Sequence, residues 1–286
     1  MTLDIDRLST DDIDDAWRLS SQVGWNQTKD DWQRLLELFP STCFAGRLDG
    51  DLVATSTLAT YGDVGWIGMV LVDEAYRRRG YGSELFERAL AAGHDGALDV
   101  IGLDATDAGR EVYRQYGFET TVGIDRWAGP LRRPVTDGIQ GYDDDSVRVE
   151  PIETAGPIAD FDRTHVGTDR RVLLEHVIGA DDSAALCVNR GGRVRGYAVV
   201  RSGRRRKQVG PLVAVDDTDT SALLSGVAKR VDGPVIVDAL RGERTESLLR
   251  RFGLDVRRRL HRMTEGDPRS VLDGDAVVAA AGFEWG

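Results

Sequence analysis

The chain repeats itself, and that repeat constrains its fold more than any single motif does. Arg250-Arg-Phe-Gly-Leu-Asp255 echoes Arg114-Gln-Tyr-Gly-Phe-Glu119. Ten residues beyond the aromatic of each stand Arg126 and Arg262, which open the dipeptides Arg126-Trp127 and Arg262-Met263. Upstream, Val209-Gly-Pro-Leu-Val-Ala-Val215 takes the place that Trp66-Ile-Gly-Met-Val-Leu-Val72 holds in the first half. Recurrence of one pattern at matching offsets implies two copies of one fold. Length agrees, because 286 residues can bury one large core or two of ordinary domain size. Between the copies the pattern lapses: Pro130, Pro134, Gly138, Gly141 and the run Asp143-Asp144-Asp145 read as a linker. The expected division is residues 1–130, a linker over 131–146, and residues 147–286.

Hydrophobic spacing places the elements of the first half. A short strand over 3–8 leads to Ser9-Thr10-Asp11-Asp12, a capping cluster that opens a helix with Ile13, Ala16 and Leu19 on one face. A second helix over 29–38 carries Trp32, Leu35 and Leu36. Strands follow over 42–48, 52–61 and 66–72, the first two joined by a tight Asp49-Gly50-Asp51 turn. A helix over 82–92, a strand over 97–103, a helix over 106–116 and a strand pair over 118–128 complete the half. This order predicts an α/β fold of the mixed α+β kind, with a mostly antiparallel sheet flanked by helices.

The segment Met69-Val-Leu-Val-Asp-Glu-Ala-Tyr-Arg-Arg-Arg-Gly-Tyr-Gly-Ser-Glu-Leu-Phe86 carries chemistry. An apolar strand ends in a turn with Gly80 and Gly82, and a helix begins at once with Leu85, Phe86, Ala89 and Leu90 on its inner face. Glycines let successive N–H groups converge, and the helix start adds the positive end of its dipole, so the turn is shaped for a pyrophosphate. Arg77, Arg78 and Arg79 stand ready for charge-assisted bonds to phosphate oxygens. A dinucleotide-binding turn is set aside, because no third glycine follows at the needed spacing and no acidic residue closes a βαβ unit.

With Arg77, Gly80 and Gly82 in the pattern Arg-x-x-Gly-x-Gly, and Tyr113-Arg-Gln-Tyr-Gly-Phe118 beginning 31 residues past Gly82, the first half resembles the GCN5-related (GNAT) N-acetyltransferases. The resemblance implies tandem GNAT folds and transfer of acetyl from acetyl-CoA to a primary amine by direct attack in a ternary complex. It implies that backbone groups of Met69, Val70, Leu71 and Val72 pair with the pantetheine arm. The loop of Arg77, Arg78, Arg79, Gly80, Tyr81, Gly82 and Ser83 would hold the pyrophosphate. Tyr113 would donate a proton to the leaving thiolate, while Tyr116 is expected to pack. Some family members place a basic glutamate on the strand before the loop; here Trp66 stands there, so the base is unassigned. Asp63, the nearest upstream carboxylate, reads better as a turn residue. Acceptor recognition in the superfamily comes from the first two helices and their loop, which makes Trp25, Asn26 and Trp32 the candidates. The alternative is a helix cap at Thr28 with both tryptophans in the core.

The second copy departs where chemistry would require the motif. After Val215 comes Asp216-Asp-Thr-Asp-Thr-Ser221, with no glycine before Gly226, and Leu249 stands in the place of Tyr113. Carboxylates there would repel a phosphate. This half is therefore expected to be a degenerate copy that shapes the acceptor site or an interface, with a helix start at Asp169-Arg-Arg-Val-Leu-Leu174 facing the first half. A cleft narrowed between two halves suits a compact acceptor, so a small-molecule amine is expected. A protein or peptide amine, and a non-catalytic CoA-binding protein, are the alternatives, and a homodimer is compatible with either.

Composition narrows the setting. Net charge is −11, and of 37 basic residues only Lys29, Lys207 and Lys229 are lysine. Such an Asp-rich, Lys-poor chain resembles the proteins of salt-loving archaea and makes a poor nucleic-acid partner. Cys43 and Cys187 sit in apolar runs and are expected as reduced, buried thiols. His94, His165, His176 and His261 lack ligand spacing, so no metal is expected. The longest apolar run, near Ala276 to Gly282, is too short to span a bilayer, and the start lacks a signal-peptide pattern. A cytoplasmic location is expected.

Overall fold

The structure, a computed structural model, describes residues 2–134, 148–266 and 274–286. Residues 135–146 of the expected linker lie outside the described residues.

The first half runs β1 (Asp4–Arg7), α1 (Ile13–Gln22), α2 (Lys29–Leu38), β2 (Cys43–Leu48), β3 (Asp51–Tyr61), β4 (Val64–Val72), α3 (Tyr81–Asp95), β5 (Val100–Ala105), α4 (Asp107–Tyr113) and β6 (Glu119–Pro130). The second runs β7 (Arg148–Ile152), α5 (Ala159–Val166), α6 (Arg171–Ile178), β8 (Ala184–Arg190), β9 (Arg193–Arg201), β10 (Lys207–Ala214), α7 (Asp217–Ala228), β11 (Pro234–Leu240), α8 (Glu243–Arg251), β12 (Asp255–Gly266) and β13 (Val277–Ala279). Helix starts follow local chemistry: Thr28 accepts from the Asp31 amide at 3.1 Å, and Asp31 accepts from the Thr28 amide at 2.8 Å. Along α2, Trp32, Leu35 and Leu36 fall on one buried stripe. Among the described residues no helix is long and apolar enough to cross a membrane.

All the described strands join one sheet, in the order β1-β2-β3-β4-β5-β12-β6-β11-β13-β10-β9-β8-β7. The halves exchange their long strands. β12 pairs with β5, from His261 opposite Ala105 to Gly266 opposite Val100. β6 pairs with β11, from Pro234 opposite Pro130 to Leu240 opposite Ile124, and with β12 on its other edge. The strand pair expected over 118–128 is therefore one strand: both edges of β6 are taken by strands of the second half, so it has no reason to fold back on itself.

The repeated arginines hold this exchange in register. Arg126 makes a two-pronged pair with Asp238, its partner across the β6–β11 ladder, at 2.7 and 2.8 Å. Arg262 does the same with Asp104 across β12–β5, at 3.0 Å for both contacts. Planar guanidinium matches carboxylate geometry, and a one-residue slip would leave buried charges unpaired. α6 packs on α2, which joins the halves a second time.

Each half contains a pair of parallel strands that fork. β4 and β5 are bonded only over Val64 to Trp66 and Val100 to Gly102, then separate. There β4 bulges against β3, with Met69 in the left-handed region at φ 52°. In the second half β10 and β11 pair over Lys207 to Val209 and Val235 to Val237 before they part. That gap is filled by the chain itself: β13 bonds to β10 at Leu212 and Val213 and to β11 at Ala239. One fork is open and the other closed.

Candidate active site

The open fork leads into a cavity of about 200 Å³. Met69 and Val70 line it from β4, and Leu103, Asp104 and Ala105 from β5. Tyr113 lines it from the end of α4, whose start is capped by the Thr106 hydroxyl accepting from the Gly109 amide at 3.1 Å. The Tyr113 ring is wedged between Phe86 and Phe118, with centroids 4.7 and 6.3 Å away. Its hydroxyl has no hydrogen-bond partner among the described residues, and burial pushes its pKa up, so it keeps its proton at neutral pH. Tyr116 is committed elsewhere: its hydroxyl donates to Glu87 at 2.7 Å.

A separate groove at the start of α3 is lined by Val72, Arg77, Arg78, Gly80, Tyr81, Gly82 and Ser83. Gly80 at φ 91° and Arg78 at φ 62° turn the backbone through the left-handed region immediately before the helix. A pyrophosphate fits this combination of glycine turn, helix start and cation. The three arginines divide. Arg77 donates to the Val72 carbonyl at 3.1 Å and lines the groove with Arg78, whereas Arg79 lies over the Tyr76 ring and does not line it. Leu71 lines neither space, because its side chain is in the core.

The acceptor residues expected from the first loop separate in the same way. Trp25 lines the cavity. Asn26 does not; its side chain donates to the Arg206 carbonyl and accepts from the amides of Arg205 and Arg206, so it ties the loop to the second half. Trp32 is fully buried with its indole N–H donating to Ser20, because the helical stripe that carries it faces the sheet. Asp63 is an exposed residue of the β3–β4 turn.

What sequence reasoning missed is the chain's end. Past β13, the segment Gly282 to Gly286 crosses to the first half and lies along β4. Trp66 donates to the Phe283 carbonyl at 3.2 Å and Tyr61 to the Trp285 carbonyl at 3.0 Å. Trp66, standing where a carboxylate was expected, holds the segment that brings one. A Cβ on Gly68 would come within 3.0 Å of the Glu284 Cα, so only glycine lets the segment lie this close. Glu284 lines the cavity; its carboxylate accepts from Arg201 at 2.9 Å and from Gln27 at 2.7 Å. Burial raises its pKa, and Arg201 offsets this only in part. No local signal could have found it, since 217 residues separate Trp66 from Phe283.

Among its described residues the second half has no equivalent of this site. Asp216 caps α7 and pairs with Arg195 at 2.7 Å where a phosphate would sit, and Leu249 is buried in the place of the tyrosine.

Comparison with known proteins agrees with this geometry. Residues 10–118 match the acetyltransferase (GNAT) family and residues 158–276 match an acetyltransferase (GNAT) domain. The chain is 25% identical over 236 residues to the uncharacterized N-acetyltransferase YitH of Bacillus subtilis (strain 168), covering 81% of this chain and 80% of the relative. A crystal structure of a candidate acetyltransferase from Pyrococcus horikoshii superposes with a TM-score of 0.84 at 23% identity, covering 99% of this chain and 96% of that one. A tandem GNAT protein from the clavulanic acid biosynthesis pathway superposes at 0.65 with 15% identity, over 92% of this chain and 98% of that one. With a GNAT match in each half and one open fork beside one closed one, the chain belongs to the GNAT acetyltransferases as a tandem-domain acyltransferase.

Proposed function

We propose that this protein transfers acetyl from acetyl-CoA to a primary amine of a small molecule, at the cavity beside the β4–β5 fork. The observation that carries the reading is the convergence on that cavity of two groups with complementary proton duties. Tyr113 holds a hydroxyl with no hydrogen-bond partner among the described residues, and Glu284 reaches the same space from the C-terminal segment. Acetyl-CoA supplies the activated acetyl group. Met69 and Val70 lie where the unpaired edge of β4 can bond a pantetheine arm, and the groove of Arg77, Arg78, Gly80, Gly82 and Ser83 takes its pyrophosphate. Glu284 accepts the proton that the amine must lose, a task suited to a carboxylate whose pKa is raised towards working pH. Tyr113 gives its hydroxyl proton to the departing sulfur. The compact acceptor follows from size, because about 200 Å³ has little room for a folded partner's side chain and backbone together.

An amine panel assayed by CoA release, alongside acetyl-CoA calorimetry, tests this. Turnover of small amines is expected, and tight cofactor binding with no turnover of any amine or peptide would leave a CoA-binding protein instead.

A further inference from the structure

The cavity carries one cation with no hydrogen-bonded or contact ion-pair partner among the described residues. Arg126 is paired with Asp238, and Arg262 with Asp104. Arg201 is shared by Asp31 and Glu284, and Arg34 also pairs with Asp31, so that group of four balances. Arg258, half-buried on β12 in the same wall, has no hydrogen-bond or ion-pair partner among the described residues. It stands opposite Arg126 across the β12–β6 ladder, where like charges oppose each other. Burial and Arg126 together lower its pKa, and the nearby Asp238, already paired with Arg126, offsets this only in part. A second group is also unsatisfied: Gln27, whose amide N–H₂ is turned to Glu284, leaves its Oε1 buried with no donor among the described residues.

We infer that the acceptor is an amine that also bears a carboxylate, an amino acid in the broad sense, with its carboxylate on Arg258 and its amine between Glu284 and Gln27. This rests on the acetyl-transfer reading above. One cation without a contact partner, one carboxylate and one orphan acceptor lining a single cavity are the complement of a zwitterion, and a polyamine or aminoglycoside would bring only further positive charge to it. The planar guanidinium fork holds a carboxylate's two oxygens bidentately, and the glycine turn and long helix start suited to a phosphate are those of the groove before α3. The groove suited to phosphate shares no residue with the cavity.

The test compares free amino acids with their carboxamides in the full-length protein, as substrates, and their N-acetyl derivatives as ligands by calorimetry with CoA present. Carboxamides have the more readily deprotonated amine, so a preference for the acid cannot come from amine basicity. The acids should lead by roughly 10- to 100-fold in kcat/KM, the worth of a charge-assisted pair. The N-acetyl acids should lead their amides in affinity by a similar factor. Arg258→Gln should bring both ratios close to one, and Arg258→Lys should restore part of each. Carboxamides used as well as acids, or ratios unmoved in Arg258→Gln, would overturn the carboxylate site while leaving acetyl transfer intact. Arg258-dependent binding of the acids without turnover of any amine would sink acetyl transfer and uphold the site.

Discussion

At the scale of residues, the proposed proton handling divides between two side chains that differ in how visible they were. Tyr113 sits in a local pattern, and its packing against Phe86 fixes the ring whether or not it carries a hydroxyl. Tyr113→Phe should therefore lower kcat by roughly 10²- to 10⁴-fold while the Kd for acetyl-CoA barely moves. Tyr116→Phe should be mild, since that hydroxyl is spent on Glu87; the reverse ranking would move the proton donor to Tyr116. Glu284 works as a base only when ionised. With its pKa raised, kcat/KM should fall as pH drops through a value above the ordinary carboxylate range. Glu284→Gln should lower kcat/KM by roughly 10²- to 10⁴-fold and flatten that acid limb. An acid limb that persists in the variant would place the base elsewhere. A thermal melt belongs beside this measurement, because Glu284 also balances Arg201 in the interior.

At the scale of elements, the loop before α3 lets two glycines be told apart. Gly80 needs its φ of 91°, which a side chain strains, whereas a Cβ on Gly82 would meet only Val72 at 3.4 Å, an ordinary contact. Gly82→Ala should thus fold and bind normally, while Gly82→Asp should weaken acetyl-CoA by about 100-fold or more by setting a like charge against the pyrophosphate. Equal affinity of the two variants would mean that the phosphates lie elsewhere. The elements around this loop were legible because they are local: α2 spans Lys29–Leu38 as its cap and apolar stripe required, and the strand–turn–helix is continuous in sequence. β6 was not, since its neighbours come from the other half.

At the scale of the molecule, strand exchange makes the halves interdependent. Residues 1–134 alone would leave both edges of β6 bare and Arg126 without Asp238. That fragment should not fold as a monomer, and a cooperatively melting, monomeric species in circular dichroism and size-exclusion measurements would contradict the exchange. On the proposed reading the closed fork leaves one cofactor site: with β13 occupying the β10–β11 gap, calorimetry should find one acetyl-CoA per chain, and two would mean that β13 is displaced. Local sequence already specifies the repeated fold, the strand–glycine turn–helix before α3, the aromatic cluster that holds Tyr113, and the absence of both patterns from the second half, because each is written in turn chemistry and periodicity within a few dozen residues. Tertiary structure alone decided that Asn26 ties the halves together, that Trp32 is core, and that the two long strands change partners. It alone carried Glu284 from the far end of the chain to the fork. Those outcomes depend on which buried surfaces and charges meet between segments distant in the chain, 112 residues apart for Arg126 and Asp238 and 217 for Trp66 and Phe283, and no local pattern encodes the partner of a strand edge or the place where a terminal segment comes to rest.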